Sequence, residues 1–277
     1  MWQKTIDMKT TILPLLFFLF IGFISAARVA AQSAPEVMWQ KQLGGSNTES
    51  ASCIRNTGDG GYIVAAVSAS NDGHVTGNHG GDDIWVVKLD AQAEIQWQYS
   101  LGGSDTEEAC SIEQTRDGGY IVLGTSVSND GDLSQNNGRR DIWVVKLNAN
   151  GAIEWQRSLG GDADEEAAAI AQTQDNGFVI AGTALHGDEF AGDRNYWAAK
   201  LNAQGAVEWQ KEFGGSSNDV ANALMVTEDD DYILAGVSYS EDGDLPSNIV
   251  GDYVCWLVKV NSSGNIIWSK SLWYFIL

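Results

Sequence analysis

Acidic loop residues are the side chains of this chain whose pattern best matches a known chemistry. One loop places Asp130 and Asp132 on either side of a glycine, and a second loop does the same with Asp242 and Asp244. Alternating aspartates around a glycine are typical of calcium loops, in which the ion takes about 6–8 oxygen ligands. The pattern predicts calcium binding at these four aspartates, with no other cofactor required.

The same loops also support a structural interpretation. Each offers about three carboxylate or amide oxygens, so neighbours such as Asp141 or Asp252 would have to complete the shell. The third copy of the loop, His186–Glu189, lacks the pattern. Because Asn, Asp and Gly build polar turns through side-chain hydrogen bonds to the backbone, we favour this interpretation, with calcium binding as the alternative.

Other patterns of catalytic residues are missing from the sequence. It contains no nucleophile elbow, no Walker loop and no His-Glu-x-x-His motif. Adjacent carboxylates such as Glu107 and Glu108 suit glycoside hydrolysis, but acidic loops this numerous produce such pairs by chance. We predict no catalytic residues, and we expect His74 and His79 to be solvated loop side chains.

The three cysteines, Cys53, Cys110 and Cys255, match no zinc-binding spacing. Cys53 and Cys110 are 57 residues apart, one fewer than the repeat, so they should point to opposite faces of their sheets. We expect all three to be buried as small hydrophobic residues.

A tandem repeat of about 58 residues positions these loops. Each copy carries two tryptophans that are 12 residues apart, and successive pairs begin 58, 54 and 59 residues apart: Trp85/Trp97, Trp143/Trp155, Trp197/Trp209 and Trp256/Trp268. The fixed spacing indicates two antiparallel strands joined by a short hairpin, because one inserted residue would turn the second tryptophan to the other face. We expect the tryptophans to pack between blades rather than to bind a ligand.

Four strand signals in each copy predict an all-β fold, a β-propeller-like array of four-stranded antiparallel blades. In the first copy they are Ala51–Asn56, Gly61–Ser68, Ile84–Leu89 and Ile95–Leu101. An extra strand is expected at Val37–Leu43, and only short segments such as Glu165–Ala171 are permissive for helix. The repeats span residues 44–101, 102–159, 160–213 and 214–272.

The end of the array departs from the repeat. The last copy has Ser271–Leu277 where Leu-Gly-Gly is expected, and its apolar residues would leave an exposed strand edge prone to aggregation. We expect an incomplete ring, a truncated or frame-altered copy of a longer array; a small four-bladed ring is the alternative.

The second copy shows the whole repeat, in the segments Leu101–Ala109, Asp117–Val122, Ser128–Asp132, Asp141–Leu147 and Gly151–Gln156. These segments resemble the tandem-repeat exported proteins common in Bacteroidota, over almost all of residues 37–271. The resemblance implies a propeller-like domain on a secreted or surface protein, usually without an assigned activity. The tryptophan segment also resembles the docking repeat of quinoprotein-type propellers, but only in blade packing.

Residues 1–31 are predicted to be a signal peptide, and residues 32–277 the repeat domain. Lys4 and Lys9 precede an apolar run from Ile12 to Ala27, which small residues follow. These are the parts of a secretory signal, and the run is shorter than the ~20 residues that span a bilayer. We expect an exported protein, extracellular, on the cell surface or periplasmic, with no membrane span after cleavage; a retained anchor is the alternative.

The strong negative charge of the chain limits the kinds of partner that it can bind. Without residues 1–31, which hold three basic residues and one acidic residue, 13 basic and 36 acidic residues remain, and the formal charge moves from −21 to −23. Such a surface repels nucleic acid. We expect a non-catalytic module that binds an unidentified protein or glycan; the alternative is an extracellular carbohydrate-active hydrolase or lyase on the same scaffold.

Overall fold

Sixteen strands in four sheets make up the described part of the chain. A computed structural model describes residues 36–186, 193–246 and 253–272. The strands are β1 Glu49–Asn56, β2 Tyr62–Ser68, β3 Asp83–Leu89, β4 Ile95–Leu101, β5 Glu107–Gln114, β6 Tyr120–Ser126, β7 Asp141–Leu147, β8 Ile153–Leu159, β9 Asp164–Gln172, β10 Phe178–His186, β11 Asp193–Leu201, β12 Val207–Phe213, β13 Asp219–Val226, β14 Tyr232–Ser238, β15 Val254–Val260 and β16 Ile266–Leu272.

Each sheet is one blade of four antiparallel strands in chain order, as the repeat predicts. The β-branched and aromatic residues of the second and third strands fit a pleated surface that, in the second blade, is buried on both sides. Tight turns join the first two strands; in the fourth blade Asp230 takes the left-handed conformation (φ 59°) that Gly60 takes in the first (φ 83°). The fourth turn therefore forms without its glycine, since Asp tolerates this region better than most residues.

Two local expectations differ from the structure. The helix-permissive segment Glu165–Ala171 lies inside β9, because its main chain pairs with β10. Residues 36–45 include no strand, so the extra strand expected at Val37–Leu43 is not formed. The chain divides between residues 40 and 41, and all sixteen strands belong to the second unit.

The hydrophobic core lies between successive blades. Trp143 of the second blade packs with Ile63 and Ile84 of the first, and the first tryptophans of the third and fourth blades do the same at their own junctions. The second tryptophan of each of the first three pairs faces the following blade: Trp97 lies edge-on to Tyr120, with ring centroids 5.6 Å apart. At the three junctions between described blades, packing by both kinds of tryptophan is therefore confirmed.

The inner strands of the blades lie side by side in chain order, and within the described residues the four sheets do not close into a ring. Each inner strand has one extra residue opposite its neighbour, a β-bulge, at Ser52, Cys110, Ala168 and Asn222. These bulged residues line a central channel of about 510 Å³. No helix among the described residues is long and apolar enough to cross a membrane.

Candidate binding face

The loops after the second and fourth strands of each blade lie at one end of the sheets, because antiparallel order returns the chain to that end. We call this end the acidic face; its described loops are residues 44–48, 69–82, 102–106, 127–140, 160–163, 214–218 and 239–246. Their acidic side chains fall into three groups: those that hold loops together, those buried at blade junctions, and those exposed to solvent.

The first group contains the aspartates predicted to bind calcium. Asp130 accepts a hydrogen bond from the backbone N–H of Ser104 at 2.7 Å, and Asp242 accepts one from Ser216 at 2.7 Å. The Ser104 N–H holds the pKa of Asp130 below its usual value. Each aspartate therefore ties its loop to the segment that enters the same blade.

Asp132 and Asp244 make a second tie of the same kind. Their carboxylates accept from the backbone N–H groups of Gly102 and Gly214, both at 3.2 Å. The four predicted ligands thus divide between the second and fourth blades, and the structure does not bring the two pairs together.

These hydrogen bonds from backbone N–H groups to loop aspartates are the ones expected if the aspartates stabilise polar turns. Among the described residues, no three His, Cys, Asp or Glu side chains converge in a metal-binding group. Asp252, named above as a possible helper, lies outside the described residues. Calcium binding at the four aspartates stays a prediction.

The second group is an acidic side chain at the start of each inner strand. Glu107 is fully buried; it accepts from Gly103 N–H at 2.8 Å and from the Ser126 hydroxyl at 2.6 Å. Glu49 makes the same two bonds in the first blade, and Asp219 bonds Gly215 N–H in the fourth. This role was not predicted from the sequence, although one acidic position recurs after every glycine pair and was a usable signal.

A further buried carboxylate begins the third strand of the first two blades. Asp83 is fully buried, and burial raises its pKa. Its Oδ2 accepts from the backbone N–H of His79 at 2.9 Å and lies 2.8 Å from the ring Nδ1, while its Oδ1 has no hydrogen-bond partner. His79 is exposed to solvent, as expected of a loop histidine, and its ring also contacts a buried carboxylate, which the sequence did not predict.

The third group is exposed and unpaired. Asp105, Asp162 and Glu241 are exposed, and their side chains make no hydrogen bond or ion pair within the described part of the chain. They lie on the same face as the tied aspartates and add negative charge that no neighbour neutralises. This group is the part of the face whose charges are not engaged within the described residues.

The channel cysteines are unsuited to nucleophilic chemistry. Cys110 lies at a bulge and donates to the carbonyl of Ala168 at 3.0 Å. Burial raises the pKa of Cys110 to about 11, so the sulfur is a neutral thiol at pH 7. Cys53 and Cys110 pack into different clusters, as their spacing predicts. Both are only partly buried and Cys255 is exposed, which corrects the expectation that all three are buried.

The fold and the site define a β-propeller-like repeat protein. No protein-family model matches the chain. In sequence it is similar to the regulatory protein FlaEY of Caulobacter vibrioides, 24% identical over 186 residues, which cover 60% of this chain and 20% of that protein. The chain thus spans about a fifth of that relative's length.

Solved structures resemble the fold only loosely. Acylaminoacyl peptidase of Pyrococcus horikoshii has a TM-score of 0.45 and 11% identity, over 82% of this chain and 32% of that one. An apocarotenoid oxygenase variant from Synechocystis has a TM-score of 0.42 and 12% identity, over 80% and 49%. Such distant likenesses carry no argument about activity.

Proposed function

We propose that this protein is an exported, non-catalytic interaction module that binds a protein partner with a basic surface through its acidic face. The observation that carries the proposal is the set of exposed, unpaired carboxylates at Asp105, Asp162 and Glu241, beside loops that hydrogen bonds hold in place. Loops that are already ordered lose little entropy on binding. Complementary charge raises the association rate and selects the partner.

Repetition supports a binding role over a catalytic one. The same bond between a loop aspartate and a serine N–H occurs in three blades, at 2.7 Å each time. A catalytic centre needs one copy whose acidic residues are released from such structural bonds, whereas a binding face gains from several equivalent copies.

Matched charge variants test the proposal. The double variant Asp105→Asn/Asp162→Asn removes two charges from the acidic face, and Glu228→Gln/Asp229→Asn removes two exposed charges from the turns at the opposite end of the sheets. We expect calorimetric titration with an oligolysine peptide to show roughly 5–30-fold weaker binding for the first variant only, since each lost charge contact is worth about 0.5–1 kcal/mol. Equal weakening by both variants would contradict the proposal, because only net charge would then matter.

A substrate screen tests the non-catalytic part. Purified protein is incubated with a panel of polysaccharides, and released sugars are measured. We expect no turnover; hydrolysis or elimination abolished by a single substitution such as Glu108→Gln would establish the carbohydrate-active alternative instead.

A further inference from the structure

Every junction between blades brings two polar side chains together around one glycine. The first side chain begins the third strand of a blade, and the second begins the inner strand of the next blade. The pairs are Asp83 with Glu107 at Gly102, Asp141 with Glu165 at Gly160, and Asn195 with Asp219 at Gly214. A methyl group on Gly102 or Gly160 would touch both members of its pair, with the aspartate Oδ1 at 2.9 and 2.8 Å respectively.

Two of the three junctions differ from a bare pair of carboxylates. At the first junction, the His79 ring lies 2.8 Å from the Asp83 carboxylate. At the third junction, the neutral amide of Asn195 stands where the other two blades have aspartate. The first junction therefore has a histidine ring beside its two carboxylates, and the third junction holds only one carboxylate.

The middle junction has neither a histidine ring nor a neutral amide at these positions. Asn137 stands at the position of His79 and gives Asp141 only a backbone N–H, at 2.6 Å. Among the described residues, no Lys, Arg or His nitrogen lies within 4.0 Å of the carboxylate of Asp141 or Glu165. The nearby charges of Asp164 and Glu212 are also negative.

Three basic side chains around this junction are engaged elsewhere, and a fourth, Arg139, is exposed to solvent and makes no ion pair among the described residues. Arg140 is paired with Glu108, Arg194 lies 3.4 Å from Glu166, and His186 lies 2.6 Å from Glu212. The pair Asp141 and Glu165 therefore has no cation of its own. Leaving two such carboxylates buried and unpaired is costly, because the transfer of an isolated charge out of water is unfavourable by several kcal/mol.

Unused oxygens surround the same point. Asp141 is fully buried, and its Oδ1 has no hydrogen-bond partner. Around the place that a Cβ would take on Gly138 lie the carbonyl oxygen of Gly161, that of Ala163 at 3.0 Å and Asp141 Oδ1 at 3.4 Å. The three atoms nearest to that place are therefore all acceptor oxygens.

We propose that the junction between the second and third blades binds one divalent cation, preferably calcium, through the carboxylates of Asp141 and Glu165 and the carbonyls of Gly161 and Ala163. Calcium accepts this mixture of carboxylate and carbonyl oxygens and completes its shell with water. The site is separate from the loops of Asp130 and Asp242, and it ties two blades together rather than shaping one loop. It does not depend on the proposed partner.

Thermal melts with one matched substitution test the site. The chain from residue 32 onwards is stripped with EDTA and melted at pH 8 with increasing calcium chloride. At a hundredfold excess over Kd, we expect the melting temperature to rise by roughly 5–10 °C. Asp141→Asn, which copies the natural Asn195 junction, should abolish the rise, whereas Asp83→Asn at the first junction should preserve it. Calorimetry on the wild-type chain should give one calcium per molecule.

Three outcomes would overturn the proposal. A calcium-dependent rise that survives Asp141→Asn but disappears in Asp130→Asn/Asp242→Asn would place the ion at the loop aspartates. No response of the wild-type chain to calcium, together with stabilisation by acid that Asp141→Asn removes, would show that the two carboxyl groups share a proton instead. No response to either treatment would mean that the junction holds no ligand. If Asp141→Asn does not fold, Glu165→Gln takes its place.

Discussion

At the scale of single residues, each of the first three blades buries the amine of a strand lysine and surrounds it with acceptors. Lys200 has a side chain that is 2% exposed, and its Nζ donates to Asp175 at 2.9 Å, to the carbonyl of Leu201 at 3.0 Å and to Glu208 at 3.1 Å. All three of its N–H donors are used, so the buried charge is satisfied. Lys88 and Lys146 form the same kind of cluster in the first two blades.

Removal of one acceptor from this cluster should destabilise the fold in a pH-dependent way. Burial by itself would raise the pKa of Asp175, but hydrogen bonds from Thr173, Lys200 and Gly177 lower it to about 2. Because the folded-state pKa lies below the ordinary value of 3.8, this stabilisation is present above about pH 4 and is lost as the pH falls through about 2.

We therefore expect Asp175→Asn to cost about 1–3 kcal/mol at pH 7, a modest figure because the Asp175 side chain is half exposed. Urea unfolding at pH 7 and at pH 2 measures the cost, which should nearly vanish at pH 2. Asp229→Asn, in an exposed turn, serves as the control. A loss of equal size at both pH values would show that the charge of Asp175 is not what stabilises the cluster.

At the scale of the elements, the hairpin of the third and fourth strands carries the contact from one blade to the next. Trp155 on β8 packs on Phe178, with ring centroids 5.8 Å apart, and its Nε1 donates to the carbonyl of Ala203 at 3.2 Å. Gly205, with a φ of 76°, leaves room for the indole, because a Cβ there would lie 2.6 Å from it. The glycine of the hairpin thus serves both the turn and the neighbouring blade.

The two ends of the array provide a matched pair of tryptophans. Trp268 on β16 is the repeat equivalent of Trp155, but its ring contact is with Lys270 on its own strand, at 5.1 Å. We expect Trp155→Ala to cost about 2–4 kcal/mol, somewhat less than for a fully buried aromatic residue because Trp155 is partly buried, and Trp268→Ala less than half of that. Urea unfolding of both variants checks the prediction, and equal costs would show that contact with the next blade contributes little.

At the scale of the whole molecule, the fourth blade presents a face that the other three blades bury. The residue that ends the outer strand is 3%, 3% and 4% exposed in the first three blades, at Leu101, Leu159 and Phe213, but Leu272 is 56% exposed. Cys255 is exposed on the same blade, and Ile142, its equivalent in the second blade, is fully buried. The difference arises because no described blade follows the fourth.

An apolar face of this kind should make the chain self-associate. We expect light scattering to show a mass that rises with protein concentration, and we expect Leu272→Lys to reduce that rise. Ile153→Lys, a change to an exposed apolar residue on another blade, should leave the rise unchanged. A wild-type chain that stays monomeric at all concentrations would show that this face does not drive association.

The sequence predicted the blades and their register closely because these depend on local pattern. The tryptophan spacing, the strand alternation and the turn residues act within about 15 residues, and the resulting strand ranges differ from the observed ones by one or two residues. It could not predict which side chains meet across a junction. Asp141 and Glu165 are in different repeats, and only the packing of one blade on another brings them together.

The sequence by itself therefore determined the four-stranded blade, the inter-blade role of the tryptophans and the acidic end of the sheets, since each follows from a period repeated along the chain. Only the tertiary structure decided the burial of the cysteines, the role of His79 and the position of the uncompensated carboxylates. These three features depend on how the surfaces of neighbouring blades pack together. No described blade follows the fourth, and the apolar residue at the end of its outer strand is therefore exposed, whereas the equivalent residues of the other blades are buried.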